Sequence, residues 1–309
     1  MKSKVIAVVG PTAVGKSALG VLIAKQMNGE IISGDSMQIY RTMDIGTAKI
    51  AQEEAEGIPH HLLDIKDPDE PFSVAEFKER VQLLIDDITN RGKLPIIVGG
   101  TGLYIQSVLY DFQFSDQGRD KAVSERLAAL LEREGPQSLH ERLNKIDPVQ
   151  AEKIHPNNTR RVIRALEVFE TTGMTMTDFH NRQVEEQPYD HVLVGLEMDR
   201  DVLYQRINER VDYMVEQGLL QEVSRLYWNG YRDAPAMKAI GYKEFIPYLE
   251  GVYDFDYAVA LLKRNSRRYA KRQYTYFKNK FDIQWYTIAP SDYQEKFETI
   301  LSDLAGMRN

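Results

Sequence analysis

Eight residues near the start constrain this chain most. Gly10-Pro11-Thr12-Ala13-Val14-Gly15-Lys16-Ser17 fits the pattern Gly, four residues, Gly, Lys, Ser/Thr. Before it, Val5 to Val9 is a continuous apolar run, as in a strand buried on both faces. After it, Ser17 to Met27 reads as a helix. A strand, a glycine-bearing turn and a helix in this order turn backbone N–H groups onto an anion, and the helix N-terminus adds partial positive charge. Lys16 supplies a full charge to two phosphates, and the Ser17 hydroxyl can hold Mg²⁺, which prefers oxygen ligands. Gly10, Thr12, Ala13, Val14, Gly15, Lys16 and Ser17 are therefore the candidate diphosphate-binding set, with Ser17 as the metal candidate.

The rest of the chain continues the alternation. Glu30 to Ser33 is a short strand ending near Asp35, and His61 to Ile65 is a possible third. Ser73-Val74-Ala75-Glu76 is a capping box that opens a helix stopping near Gly92. Leu94 to Val98 is a buried strand followed by Gly99-Gly100-Thr101-Gly102. Strands alternating with helices imply a parallel sheet of α/β type. From Ser115 to Gln187 the pattern is helical without a convincing strand. Strand character returns over 191–196, two long helices span Asp199 to Gln217 and about Tyr257 to Lys280, and Phe281 to Tyr286 is a last strand before a terminal helix. The expected fold is an α/β, P-loop NTPase-like parallel sheet core, 1–112 and 190–309, with an inserted all-helical domain, 113–189. The length of 309 residues suits about two domains.

Composition excludes several classes. With 39 Lys plus Arg against 46 Asp plus Glu, the net charge is −7, so any nucleic-acid site must be a local basic patch. The absence of cysteine excludes disulfides, thiol catalysis and cysteine-ligated zinc, and fits a reducing cytoplasm, the expected location. No apolar run approaches the ~20 residues of a membrane span, so no membrane partner is expected. The loop alone does not specify an NTPase. The strand 95–98 ends in Gly99-Gly100-Thr101, where an NTPase usually has a carboxylate; Asp35 and Asp64 are possible substitutes.

Further segments carry a family likeness. The loop at 10–17, Ser33-Gly34-Asp35-Ser36-Met37-Gln38-Ile39-Tyr40-Arg41, Met43-Asp44-Ile45-Gly46-Thr47-Ala48-Lys49, Pro59-His60-His61-Leu62 and Gly99 to Tyr104 are five of them. Ile154-His155-Pro156-Asn157, Arg160 to Glu167, Ile240 to Glu244 and Ala270-Lys271-Arg272-Gln273 follow. In this order, over nearly the whole chain, they resemble the tRNA dimethylallyltransferase (isopentenyltransferase) family. The resemblance implies transfer of a dimethylallyl group from dimethylallyl diphosphate to N6 of adenine 37 in the anticodon stem-loop of certain tRNAs. It implies that the phosphate loop holds the diphosphate, not ATP. A monomer with Mg²⁺ as cofactor is expected.

The candidate roles follow. Lys16 and the loop face charge developing on the diphosphate. Thr101 can donate to a phosphate oxygen; the competing reading is a plain helix N-cap. Asp35 can take the proton from the adenine amine; the competing reading is an Asx-turn residue. The resemblance favours the catalytic role for both, and places Ser36, Met37 and Gln38 in the adenine pocket. Arg206 and Arg210 share a helix edge, and the resemblance favours Arg210 as the diphosphate clamp, leaving Arg206 on a solvated face. The helix from Lys263 to Lys280 carries eight cationic and no acidic residues, interleaved with aromatics. Arg268, Lys271 and Arg272 there, and Arg160, Arg161 and Arg164 on the insertion, are the candidate tRNA grips alongside Asp35 to Gln38 and Thr101. Two other enzyme readings stay open, a prenyltransferase of free adenine nucleotides and a P-loop nucleotide or metabolite kinase. A non-enzymatic RNA-binding module with a relic loop is the third.

Overall fold

The computed structural model describes residues 2–111, 120–181 and 187–306. Contacts divide the chain into two compact units, Met1–Tyr110 with Gln187–Asn309, and Asp111–Glu186. The expected boundary at 112/113 lies outside the described residues.

The larger unit is built on a six-stranded, all-parallel sheet. Its strands are β1 (Lys4–Val9), β2 (Gly29–Ser33), β3 (His60–His61), β4 (Leu94–Gly99), β5 (Asp190–Glu197) and β6 (Gln284–Thr287). They lie in the order β3-β2-β4-β1-β5-β6. β1 is central, with Ile6 opposite Ile96 of β4 and Val192 of β5. Burial on both faces explains why β1 and β4 read as apolar runs, while β2 also buries Glu30 and Ser33. Helices α1 (Lys16–Met27), α2 (Gln52–Ala55), α3 (Val74–Asn90) and α4 (Gly102–Leu109) belong to its first segment. The Ser73 hydroxyl caps α3 by accepting from Glu76 N–H at 3.1 Å. One apolar layer packs Leu19, Ile23 and Ile300 on one sheet face, and a second packs Phe77, Ile85 and Phe277 on the other.

Two strands differ from expectation. β3 stops after His61 because Leu62 and Asp64 adopt left-handed backbone, with φ of 62° and 55°, which ends a ladder. β6 begins at Gln284, three residues later than expected.

The smaller unit contains α5 (Lys121–Ile146, broken at Gly135), α6 (Pro148–Lys153), α7 (Thr159–Thr172) and α8 (Met176–Asn181). Its own core unites Leu127, Leu139, Leu143, Ile154, Val162 and Leu166. No strand occurs among its described residues.

The chain re-enters the larger unit and forms α9 (Arg200–Glu216), α10 (Leu219–Leu226), α11 (Ile246–Leu249), α12 (Phe255–Lys280) and α13 (Tyr293–Gly306). Between α10 and α11 lie a π-turn at Tyr227–Tyr231 and a 3₁₀ turn at Pro235–Lys238. A third apolar cluster around Tyr242, Phe245 and Met237 packs this segment against Ile39, Tyr40 and Met43.

Candidate active site

Three loops leave the carboxyl ends of adjacent strands and meet at one place, where ligands bind in open parallel sheets. After β1 comes the phosphate loop, after β2 the segment from Gly34 to Gln38, and after β4 the turn from Gly100 to Thr101. The last two are stitched together. Gly34 N–H donates to Val98 O at 2.8 Å, and Ser36 N–H donates to Thr101 Oγ1 at 3.2 Å. The missing carboxylate after β4 has a steric cause. A Cβ on Gly99 would lie 2.4 Å from the Gly34 backbone, so no side chain fits there.

The phosphate loop is a strained concavity. Ala13 has φ 65°, outside the region L-residues prefer, and Gly15 has φ 100° at the N-terminus of α1. The surroundings over-determine this shape. Tyr293, at the start of α13, donates its hydroxyl to Val14 O at 2.7 Å. Arg206 Nε donates to Ala13 O at 3.2 Å, and its guanidinium lies 5.6 Å over the Tyr293 ring. Arg206 is thus a brace of the loop, not the solvated residue expected from the sequence. Its neighbour one turn on, Arg210, donates to Thr12 Oγ1 at 3.3 Å.

A cavity of about 330 Å³ opens in front of these groups. Thr12, Ala13, Asp35, Ser36, Met37 and Arg210 belong to its lining. Ile207, Val211, Met214, Ile240 and Leu262 give the same cavity apolar surface. The wall at Gly46 to Ala48 is held from behind by Glu222. This buried carboxylate accepts N–H bonds from Asp44, Ile45 and Gly46 at 2.9 to 3.0 Å, and the Tyr242 hydroxyl at 2.7 Å. Gln38 does not line the cavity. Its amide instead bonds Ser33 and the carbonyls of Thr47 and Ala48, fixing the same wall.

The charges are crowded. Burial and Arg210 push the Lys16 ammonium down to about 7, with Asp35 opposing. Burial raises the Asp35 carboxyl, opposed by the Met37 N–H and by Lys16. Burial also lowers Arg210. In this structure Lys16 donates to Pro11 O at 2.6 Å. Asp35 combines two features. Oδ1 accepts from Met37 N–H at 2.8 Å, an Asx turn, while the residue still faces the cavity beside Lys16 and Arg210. Thr101 sits at the N-cap position of α4 without a side-chain cap bond. Its hydroxyl engages Ser36 instead, so the plain-cap reading fails.

Ser17 is exposed at the first turn of α1. Among the described residues no three His, Asp or Glu cluster as a metal cage. A hydroxyl beside a phosphate loop still fits Mg²⁺, which commonly takes few protein oxygens and completes its shell with substrate phosphates and water.

On α12, Arg268, Lys271 and Arg272 are exposed, and Arg272 reaches the cavity rim. Other cations of that helix are engaged: Lys263 pairs with Asp212 and Lys278 with Glu197. Within the smaller unit, Arg160 and Arg161 are exposed, and Arg164 pairs with the buried Glu167 at 3.0 Å. Sequence reasoning missed Tyr293 and Glu222. It met Gln273 only within the family-like segment 270–273 and Tyr269 only as one of the aromatics interleaved with the basic residues, without the contacts that either makes.

A strained phosphate loop, an acidic residue and an apolar chamber in one cavity define a P-loop α/β group-transfer protein. The comparisons narrow this. The IPP transferase family matches residues 38–280. A tRNA dimethylallyltransferase of Oceanobacillus iheyensis is 57% identical over 99% of this chain and 98% of its own length. A solved tRNA isopentenylpyrophosphate transferase of Bacillus halodurans is 51% identical, with a TM-score of 0.76, over 99% of this chain and 96% of that one. A eukaryotic dimethylallyltransferase, solved in snapshots acting on tRNA, is 33% identical with a TM-score of 0.84, over 97% of this chain and 77% of that one. The chain belongs to the IPP transferase family.

Proposed function

We propose that this protein is a tRNA dimethylallyltransferase that moves a dimethylallyl group from dimethylallyl diphosphate to N6 of adenine 37 in the anticodon stem-loop. The observation that carries the reading is a cavity beside the phosphate loop whose lining combines polar and apolar side chains. Arg210 and Asp35 line it with Lys16 close to both, and its apolar residues suit a five-carbon chain. The names of the relatives agree with it.

In the transfer, the allylic C–O bond breaks and its electron pair leaves with the diphosphate. The N6 lone pair forms the new C–N bond, and the N6 proton goes to Asp35. Lys16, Arg210 and the N–H groups at the N-terminus of α1 face the charge that grows on the diphosphate. Thr101 and Ser36 orient the phosphate oxygens and the adenine edge. The raised proton affinity of Asp35 brings it closer to the working pH, where a general base is effective. Ser17 would hold Mg²⁺, whose charge when bound offsets that of the diphosphate. Arg268, Lys271 and Arg272, with Arg160, Arg161 and Arg164 of the insertion, hold tRNA phosphates. The protein acts as a monomer in the cytoplasm.

The test is incubation with labelled dimethylallyl diphosphate and Mg²⁺, with either tRNA or free adenine nucleotides. Label in tRNA at N6 of adenine 37 is expected. Label in AMP, ADP or ATP alone would replace the acceptor, and ATP turnover without prenylation would replace the reaction.

A further inference from the structure

Gln273 is a polar side chain only 5% exposed on the inner face of α12. Both ends of its amide are committed. Oε1 accepts from Thr12 N–H at 2.8 Å, and Nε2 donates to Gly100 O at 3.0 Å. The two partners belong to different loops, one after β1 and one after β4. A single amide therefore fixes the phosphate loop against the turn that carries Thr101.

The packing around this bridge is close. A Cβ on Gly100 would lie 2.1 Å from Gln273 Nε2, and one on Gly102 would lie 2.2 Å from the Tyr276 ring. Tyr269, one turn before Gln273, lines the cavity and interacts with both Thr101 and Gln273. Burial, then the Asp35 charge, pushes its hydroxyl up to about 12, which keeps it a donor. Tyr269, Gln273 and Tyr276 thus form an inward stripe at i, i+4 and i+7. Arg268, Lys271 and Arg272 stand on the same turns and are exposed. One helix presents basic side chains outward and grips both catalytic loops inward.

We propose that Gln273 is a positioning residue through which RNA held on α12 sets the phosphate loop, so that RNA occupancy and diphosphate occupancy are coupled. This rests on tRNA being the acceptor. Thr12 N–H is spent on Gln273 and so is not spent on the diphosphate. Any shift of α12 moves Oε1 and with it the entry of the loop. Coupling of this kind is reciprocal: RNA tightens diphosphate binding by the factor with which diphosphate tightens RNA binding.

The experiment uses the full chain with pyrophosphate and tRNA as probes. In the unmodified protein, saturating tRNA should tighten pyrophosphate binding about fivefold or more, the lower end of typical site-to-site coupling. Gln273→Met keeps the volume and removes both hydrogen bonds. The factor should then fall to about one, with tRNA affinity in the absence of pyrophosphate little changed. Gln273→Glu keeps the acceptor for Thr12 and loses the donor to Gly100. It should give an intermediate factor, and it serves if the Met variant does not fold. An unchanged factor in either variant overturns the proposal, since a merely structural residue would lower only the melting temperature. A factor of one in an unmodified protein that prenylates tRNA overturns the coupling alone. An unmodified protein that does not prenylate tRNA overturns both this and the acceptor assignment.

Discussion

Lys16 and Arg210 bring positive charge close to the Asp35 carboxylate in a half-buried site, and the pH behaviour of the site follows from that crowding. With its ammonium pushed down to about 7, Lys16 sheds its proton on folding as pH rises from about 7 toward its unfolded value. In that window the unfolded chain binds more protons, so this group makes stability of the ligand-free protein rise with pH. Diphosphate binding reverses the shift, because an anion restores the ammonium. Pyrophosphate affinity should therefore fall above about pH 7 relative to Lys16→Arg, whose guanidinium stays charged; parallel profiles for the two proteins would refute the assignment. Lys16→Ala should cost about 10²–10³ in prenylation rate, the usual loss of one transition-state contact, with tRNA binding little changed. For Asp35→Asn the turn bond to Met37 survives, since an amide oxygen accepts as well. Turnover should nevertheless fall about 10²–10⁴, with pyrophosphate binding intact. A variant that loses only melting temperature would make Asp35 a turn residue and nothing more.

The elements were legible where their burial was uniform. β1 and β4 are covered on both faces, so their sequences are apolar runs that name themselves, and Ser73 marks the start of α3 by its own capping bond. The stretch between α10 and α11 was not legible. It is broken into a π-turn and a 3₁₀ turn, each too short to show a period. The proposed catalytic residues, Lys16, Asp35, Thr101 and Arg210, come from the loop motif and the family likeness. Their supports were not legible, because helical period says that Gln273 faces inward but not that it meets residues 173 and 261 positions away. Arg206 escaped for the same reason. α12 also makes a prediction of its own. Replacing Arg268 and Arg272 together with Ala should weaken binding of every tRNA alike and flatten the dependence of log affinity on log salt, by about 0.7–0.9 per lost phosphate contact. An unchanged slope would mean that these cations do not reach the RNA.

At the scale of the molecule, the sheet closes without the insertion. Tyr110 and His191, which flank it in the larger unit, meet ring to ring at 5.6 Å. A short Gly/Ser linker in place of residues 112–186 should therefore leave a folded core whose melting temperature still rises with pyrophosphate and Mg²⁺. Prenylation of tRNA should be nearly lost, as Arg160, Arg161 and Arg164 go with the insertion; a shortened chain that modifies tRNA normally would show that the insertion is no RNA grip. The contact between Tyr293 and Val14 spans 279 positions of sequence. On a ribosome working at roughly 5–20 residues per second, the two are made about a quarter of a minute to a minute apart. The loop written first is braced by a helix written last. A nascent chain thus carries its phosphate motif long before the helix that braces it has been made.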